Sequence, residues 1–223
     1  MPVPFGLALH TSSPELGLAM NPPDADLVQQ TWDLGRDMSH QLHGHLATFM
    51  APYGWEQLDF IAVAIGPGGF TGTRIGVVVA RTLGQQLNLP VFGISTLAAV
   101  AWQACPVETV QTIAVQYSAR RGALFGGIYH ISGKSPLSKG GRGDSESDAE
   151  KAGLTTIASD RLYPNPDVWS DLVNQHSVAQ TIAADNPLGG TVGQVLELGA
   201  IAYAKGERPS WAEVLPFYGQ SPV

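Results

Sequence analysis

Cysteine occurs once in this 223-residue chain, at Cys105. A single thiol excludes an intrachain disulfide framework and a cysteine-built zinc site. Charge is scarce too: only 14 % of residues are Asp, Glu, Lys or Arg, and the balance is −7. That balance excludes a broad basic face of the kind that holds RNA unaided, leaving only a local patch such as Arg120-Arg121 for phosphate. Long apolar runs are missing. The longest, near residues 60–65, falls far short of the ~20 residues of a membrane span. The first five residues show neither the basic stretch nor the apolar core of a signal peptide. The expectation is a cytoplasmic protein with no membrane partner. What is present is a 44 % hydrophobic fraction, and a chain of this length buries roughly 70–75 % of its unfolded surface. With so little charge, part of the apolar surface is expected to lie under a partner.

Along the chain, residues 5–10 read as a short buried strand, Thr11-Ser12-Ser13-Pro14 as a turn, and 17–20 and 27–34 as strands completing an antiparallel meander. Residues 39–51 are helical: Leu42, Leu46, Phe49 and Met50 fall at i, i+4, i+7 and i+8, with Ser39 placed to cap. A buried strand at 60–65, a helix at 73–87 stopped before Pro90, and a strand at 91–94 follow. Then come a helix at 96–105 capped by Thr96 and a strand pair at 112–116 and 123–131. From 132 to 153 Ser, Gly, Lys and Asp dominate. Such a segment cannot offset its ordering entropy by burial, which predicts a mobile loop. Beyond it, 167–176 reads as a helix. So does 191–205, where Val192, Val195, Leu196, Gly199, Ala202 and Tyr203 share a face and Gly206 suits the position after the C-cap. Alternation of strands and helices predicts a layered α/β or α+β fold.

One turn is distinctive: Gly66-Pro67-Gly68-Gly69-Phe70-Thr71-Gly72-Thr73-Arg74-Ile75-Gly76, between a buried strand and a helix. A glycine-rich strand-to-helix turn gathers backbone N–H groups into an anion cradle, so Gly66, Gly68, Gly69, Phe70, Thr71 and Gly72 could face a phosphate. It is neither a Walker loop nor a GxGxxG fingerprint. The alternative is that the glycines serve a tight turn and close packing, and both readings stand. The following helix carries a strip of small residues, Gly76, Ala80 and Gly84, flanked by Ile75, Val78, Val79, Leu83 and Leu87. A helix apolar around most of its circumference is covered on two sides. One side would face the sheet. The other would face a second helix, either 39–51 or a helix of another subunit.

The turn, followed by Val91-Phe92-Gly93-Ile94-Ser95-Thr96-Leu97, resembles the TsaB (YeaZ) family pattern Gly-Pro-Gly-Ser-Phe-Thr-Gly-x-Arg-Ile-Gly and its next strand, Gly-Val-Ser-(Ser/Thr)-Leu. Leu7-Ala8-Leu9-His10-Thr11-Ser12 is similar to the family opening. Arg36-Asp37-Met38-Ser39, Ser118-Ala119-Arg120-Arg121-Gly122 and Val214-Leu215-Pro216-Phe217-Tyr218 parallel later motifs. The likeness is good from Phe5 to about Phe125 and looser beyond. It implies an α/β actin-like ATPase (ribonuclease H-like) fold of two lobes with mixed sheets flanked by helices, here divided at 1–108 and 109–223. It also implies a role in making threonylcarbamoyladenosine in the tRNA anticodon loop, as a non-catalytic partner of TsaD. On that view TsaE joins the assembly, tRNA is reached through the complex, and ATP or ADP with magnesium belongs to the partner complex rather than to this chain. The first two helices would form the interface, with Leu42, Leu46, Arg74, Gly76, Val77, Ala80 and Gly84 in it. The same faces could form a homodimer when the chain is alone.

The departures from the pattern all remove functional groups. His10 stands where kinase-like members of the superfamily carry an Asp. Met38 replaces a His, Ser118 an Asp and Ala123 a Glu. No general base is left in evidence, so no catalytic residue is assigned. His40, His43 and His45 share one helix at separations that suit no metal site with a third ligand, and solvent- or interface-facing roles are expected. Trp102, Trp169 and Trp211 read as core or rim aromatics. Ser12 and Ser13 lack a His-Asp partner set. The competing functions are a small nucleotide-binding ATPase or kinase, motivated by the turn, and a metallopeptidase, a label attached to relatives of TsaD.

Overall fold

The computed structural model describes residues 4–23, 25–107, 109–133 and 153–218. Two sheets divide the strands between them. In the first, β1 (Gly6–His10) is flanked by β2 (Glu15–Met20), which carries the edge strand β3 (Val28–Asp33), and by parallel β4 (Phe60–Ala64) and β5 (Val91–Ile94). The order is β3-β2-β1-β4-β5. The strands β1 and β4 are buried throughout, which is why they read as continuous apolar runs rather than alternating ones. In the second sheet β6 (Gln111–Ser118) pairs antiparallel with β7 (Leu124–Gly133) and parallel with β9 (Gln180–Ala184), and β8 (Gly153–Tyr163) pairs with β7. Two mixed sheets flanked by helices are the architecture that the family resemblance implied.

The helices sort into layers around these sheets. Helices α1 (Met38–Met50) and α2 (Phe70–Leu87) cover one face of the first sheet, over a core of Leu7, Leu9, Leu42, Met50, Ile61 and Val77. The other face packs on α3 (Thr96–Ala104) and α5 (Val192–Ala204) through Ala8, Phe60, Ala99, Val195 and Leu196. Those two helices also meet the second sheet, where Trp102 and Leu198 pack with Ile113 and Tyr129. Helix α4 (Pro166–Gln175) closes the outer face through Trp169 against Ile128 and Tyr163. The two inner helices therefore serve both sheets, and their apolar surface is used on two sides.

The expected helix starts shift for identifiable reasons. Helix α1 begins at Met38 with Asp37 at its N-cap and no side-chain cap, so Ser39 lies inside the helix. Helix α3 is capped by Ser95, whose Oγ accepts from the Ala98 amide at 3.0 Å; Thr96 is its first residue. The signal there was the Ser-Thr pair, and backbone geometry chose the earlier hydroxyl. Gly206 follows the end of α5 at φ +86°, with its N–H on the Tyr203 carbonyl. Of the stretch expected to be a mobile loop over 132–153, Ser132 and Gly133 end β7 and Gly153 opens β8, and the rest lies outside the described residues. The strands β8 and β9 were not foreseen. Both are mostly exposed or half-exposed, and neither carries a sustained apolar alternation that would announce it.

Candidate functional site

The glycine-rich turn is clasped by the turn between β1 and β2. A Cβ at Gly68 would lie 2.1 Å from the Ser12 carbonyl oxygen, and one at Gly72 would lie 2.2 Å from that of Thr11. The Gly69 N–H donates to the Ser12 carbonyl at 2.6 Å, and the Thr11 hydroxyl donates to the Gly72 carbonyl at 2.8 Å. Close approach of two backbones accounts for these glycines. The amide of Gly69, one of those expected to face a phosphate, is already engaged. Gly66 sits at φ +100°, its carbonyl accepting from the Thr96 amide at 2.8 Å. Phe70 and Thr71 face outward at the start of α2. The Arg74 guanidinium lies 3.7 Å from the centre of the Phe70 ring and 5.0 Å from that of Tyr218, an arrangement favoured by the ring quadrupoles.

The structure places most of the expected interface residues inside the chain. Leu42, Leu46, Val77 and Ala80 are buried in the chain's own core. A Cβ at Gly76 would meet the Thr11 hydroxyl at 2.1 Å, and one at Gly84 would meet Val91 at 2.3 Å. At Gly76 and Gly84 the small-residue strip thus lets α2 approach Thr11, just after β1, and Val91 of β5. The residue spacing located the strip, but periodicity alone cannot say what fills it. Of the named residues, Arg74 alone is exposed.

The surface next to that strip is open. Helices α1 and α2 bound a groove of about 460 Å³ lined by Ser39, His43, Leu46, Arg74, Ile75, Val78, Val79, Thr82 and Leu83. Val78 is 60 % exposed in it. Among the described residues Arg74 is its one Asp, Glu, Lys or Arg, so the groove offers apolar area with one cation in its lining. The histidines of α1 part company: His43 lines this groove, whereas His40 and His45 line a second cavity on the other side of the helix. Among the described residues no three His, Cys, Asp or Glu side chains are grouped to hold a metal. Arg120 and Arg121 are exposed on the link between β6 and β7, with Arg121 at φ +60°. Trp102 and Trp169 are core residues, and Trp211 packs on the rim of the first core.

Two polar groups, one fully buried and one half-buried, complete the picture. His10 is fully buried at the end of β1, and neither ring nitrogen has a hydrogen-bond partner among the described residues. Burial pulls its pKa down to about 4, against a weaker opposing contact with its own backbone, so the ring is neutral at pH 7. Asp160, on the unforeseen strand β8, accepts hydrogen bonds from the Ser95 hydroxyl (2.5 Å) and the Tyr129 hydroxyl. Burial raises its pKa, and the two hydrogen bonds oppose that. The Tyr129 hydroxyl is pushed well above its ordinary value by burial first and by the Asp160 charge second. This cluster ties the cap of α3 to the second sheet. Sequence reasoning missed it because its three members are far apart along the chain.

Residues 40–139 match the family model described as "TsaD: tRNA N6-adenosine threonylcarbamoyltransferase". The chain is 34 % identical over 128 residues to the tRNA threonylcarbamoyladenosine biosynthesis protein TsaB of Bacillus subtilis, covering 55 % of this chain and 54 % of that protein. It is 38 % identical over 74 residues to TsaB of Buchnera aphidicola, covering 33 % and 35 %. The matches thus span about half or less of the curated relatives. A solved Pseudomonas aeruginosa protein described as similar to peptidase YeaZ superposes with a TM-score of 0.72 at 21 % identity, covering 97 % of this chain and 100 % of the other. A structure of YeaZ from the same organism gives 0.69 at 21 %, covering 96 % and 99 %. The fold is therefore shared along nearly the whole chain, and the curated relatives bear out the TsaB/YeaZ resemblance.

Proposed function

We propose that this chain, a relative of the TsaB/YeaZ family, is an accessory subunit in tRNA threonylcarbamoyladenosine biosynthesis that docks on a TsaD-like protein and carries out no chemistry alone. The observation that carries the reading is the open apolar groove between α1 and α2, lined by the exposed Val78 and by Arg74. Exposed apolar area of this kind marks a protein contact. The groove lies between the two helices that the family resemblance names. A TsaE-like ATPase joins through the complex, tRNA is met there, and ATP or ADP with magnesium sits with the partners. Two copies of this chain use the same groove when no partner is present.

The competing reading, a nucleotide-binding enzyme, finds less support. His10 occupies the strand end where a carboxylate would organise a cation, and it is buried and neutral. The Gly69 amide is spent on Ser12.

The test is Val78→Arg. An exposed position tolerates the change, so the melting temperature stays within a few degrees. Capture of the TsaD-like partner on an affinity resin falls at least tenfold. Undiminished capture by the folded variant overturns the proposed interface. Titration calorimetry of the chain with ATP and magnesium is expected to give no heat; saturable binding with turnover would favour the enzyme.

A further inference from the structure

A second cavity, of about 700 Å³, lies across α1 from the docking groove, between that helix and the uncovered face of the edge strand β3. Val28, Gln30 and Trp32 alternate along β3 and so share one face of it. Helix α1 presents His40, Gln41, Gly44 and His45 to the same space. Trp32 and His45 lie with ring centres 4.6 Å apart and planes 36° from parallel, and Phe49 braces Trp32 edge-on at 6.4 Å. Among the described residues no Asp, Glu, Lys or Arg lines the cavity. Among the described residues nothing hydrogen-bonds the side-chain amides of Gln30 or Gln41.

Gly44 is the second observation. Every other glycine inside a described α-helix is there because a Cβ would strike a neighbour within 3 Å: Gly72 and Gly76 against Thr11, Gly84 against Val91, Gly193 against Gln29, Gly199 against Ala62. At Gly44 a Cβ would meet nothing within 4 Å. A mid-helix glycine costs about 1 kcal/mol relative to alanine, and packing gives no reason for this one. Its effect is to leave the wall of the cavity open beside the Trp32–His45 pair.

We infer that this cavity binds an uncharged planar heteroaromatic group, a nucleobase, carried either by a free nucleoside or by an unpaired stretch of RNA. The volume lies within the range of small-ligand sites. The ring pair offers a stacking platform, which binds any base through its π face. Free amides at Gln30 and Gln41 present donor and acceptor together, as base edges require. The absence of charged lining argues against a phosphate or carboxylate as the recognised group. The site stands on residues outside the docking groove, so its failure would leave the partner-subunit reading untouched.

The experiment titrates the full-length chain with adenosine, with a short single-stranded oligoadenylate and with inorganic phosphate, and follows backbone amide shifts by NMR. Adenosine or the oligoadenylate is expected to move resonances of residues 30–32 and 40–45, and phosphate to move none of them. Binding of adenosine by itself assigns the site to nucleosides; binding of the oligoadenylate alone assigns it to RNA. Gly44→Trp fills the cavity without touching the core and raises helix propensity, so the fold is kept while binding weakens about five- to hundredfold, the range for losing one stacked base. Gln30→Ala, on the exposed edge strand, is a second variant and weakens binding several-fold. No shift with either base-bearing probe overturns the inference. So does equal binding by the wild type and folded Gly44→Trp, or complete competition by phosphate.

Discussion

His10 shows what a single side chain can do to this fold. Its ring is neutral, fully buried and without a partner at either nitrogen among the described residues. An unfolded histidine titrates near 6.5, whereas this one titrates near 4. Between those values the unfolded chain takes up a proton that the folded chain refuses. The contribution to stability is therefore whole above pH 6.5 and is lost as pH falls towards 4, by on the order of 3 kcal/mol. His10→Leu is expected to remove that acid-side loss and to match or exceed wild-type stability at pH 7, as read from urea midpoints at pH 7 and pH 4.5. An unchanged acid slope in the variant would assign the loss elsewhere. The sequence made the missing carboxylate legible at this position. It could not reveal that the imidazole would be sealed, because burial is decided by neighbours distant along the chain. Gly68 and Gly72 carry the same lesson: their number was obvious, but the Thr11 and Ser12 carbonyls that require them came only with the fold.

At the scale of elements, the long apolar helices and buried strands were legible because their periodicity survives in the residue order. The helix after the glycine turn starts one turn earlier than its pattern, at Phe70, so that Gly72 and Gly76, both inside it, pack against Thr11. The strands β8 and β9 were not legible, and with them went Asp160. Ser95 joins these elements. Its hydroxyl accepts from the Ala98 amide and donates to Asp160. Ser95→Ala therefore removes a helix cap and leaves a carboxylate short of a donor. A loss of about 1–3 kcal/mol is expected from thermal unfolding. A loss below about 0.5 kcal/mol would mean that neither bond matters in solution.

For the whole molecule, acid acts among the described residues through two groups of opposite sign, His10 and Asp160. Asp160 has its native pKa raised above the unfolded 3.8, so the folded state takes the proton first. Its contribution is fully present below about 3.8 and is lost as pH rises through the raised native value. Asp160→Asn abolishes that dependence. Between pH 6 and 4 the variant should therefore lose stability more steeply than the wild type, because His10 then acts unopposed; a parallel profile would show that Asp160 does not titrate in this range. The chain's last described segment binds the molecule together as well. Val91 donates to the Pro209 carbonyl, Phe217 donates to the Ile65 carbonyl, and the Phe217 ring meets Phe125 of the second sheet at 6.0 Å. The residue order by itself determined the layered α/β class, the strand-turn-helix at 66–76 and the kinship, because each rests on local pattern and short motifs. Tertiary structure alone decided which apolar faces remain uncovered. The small strip on α2 was consumed by its own sheet, while Val78 and the cavity beside Gly44 were left open. A hydrophobic pattern states that a face must be buried; only the packing of distant elements determines whether the chain buries it itself.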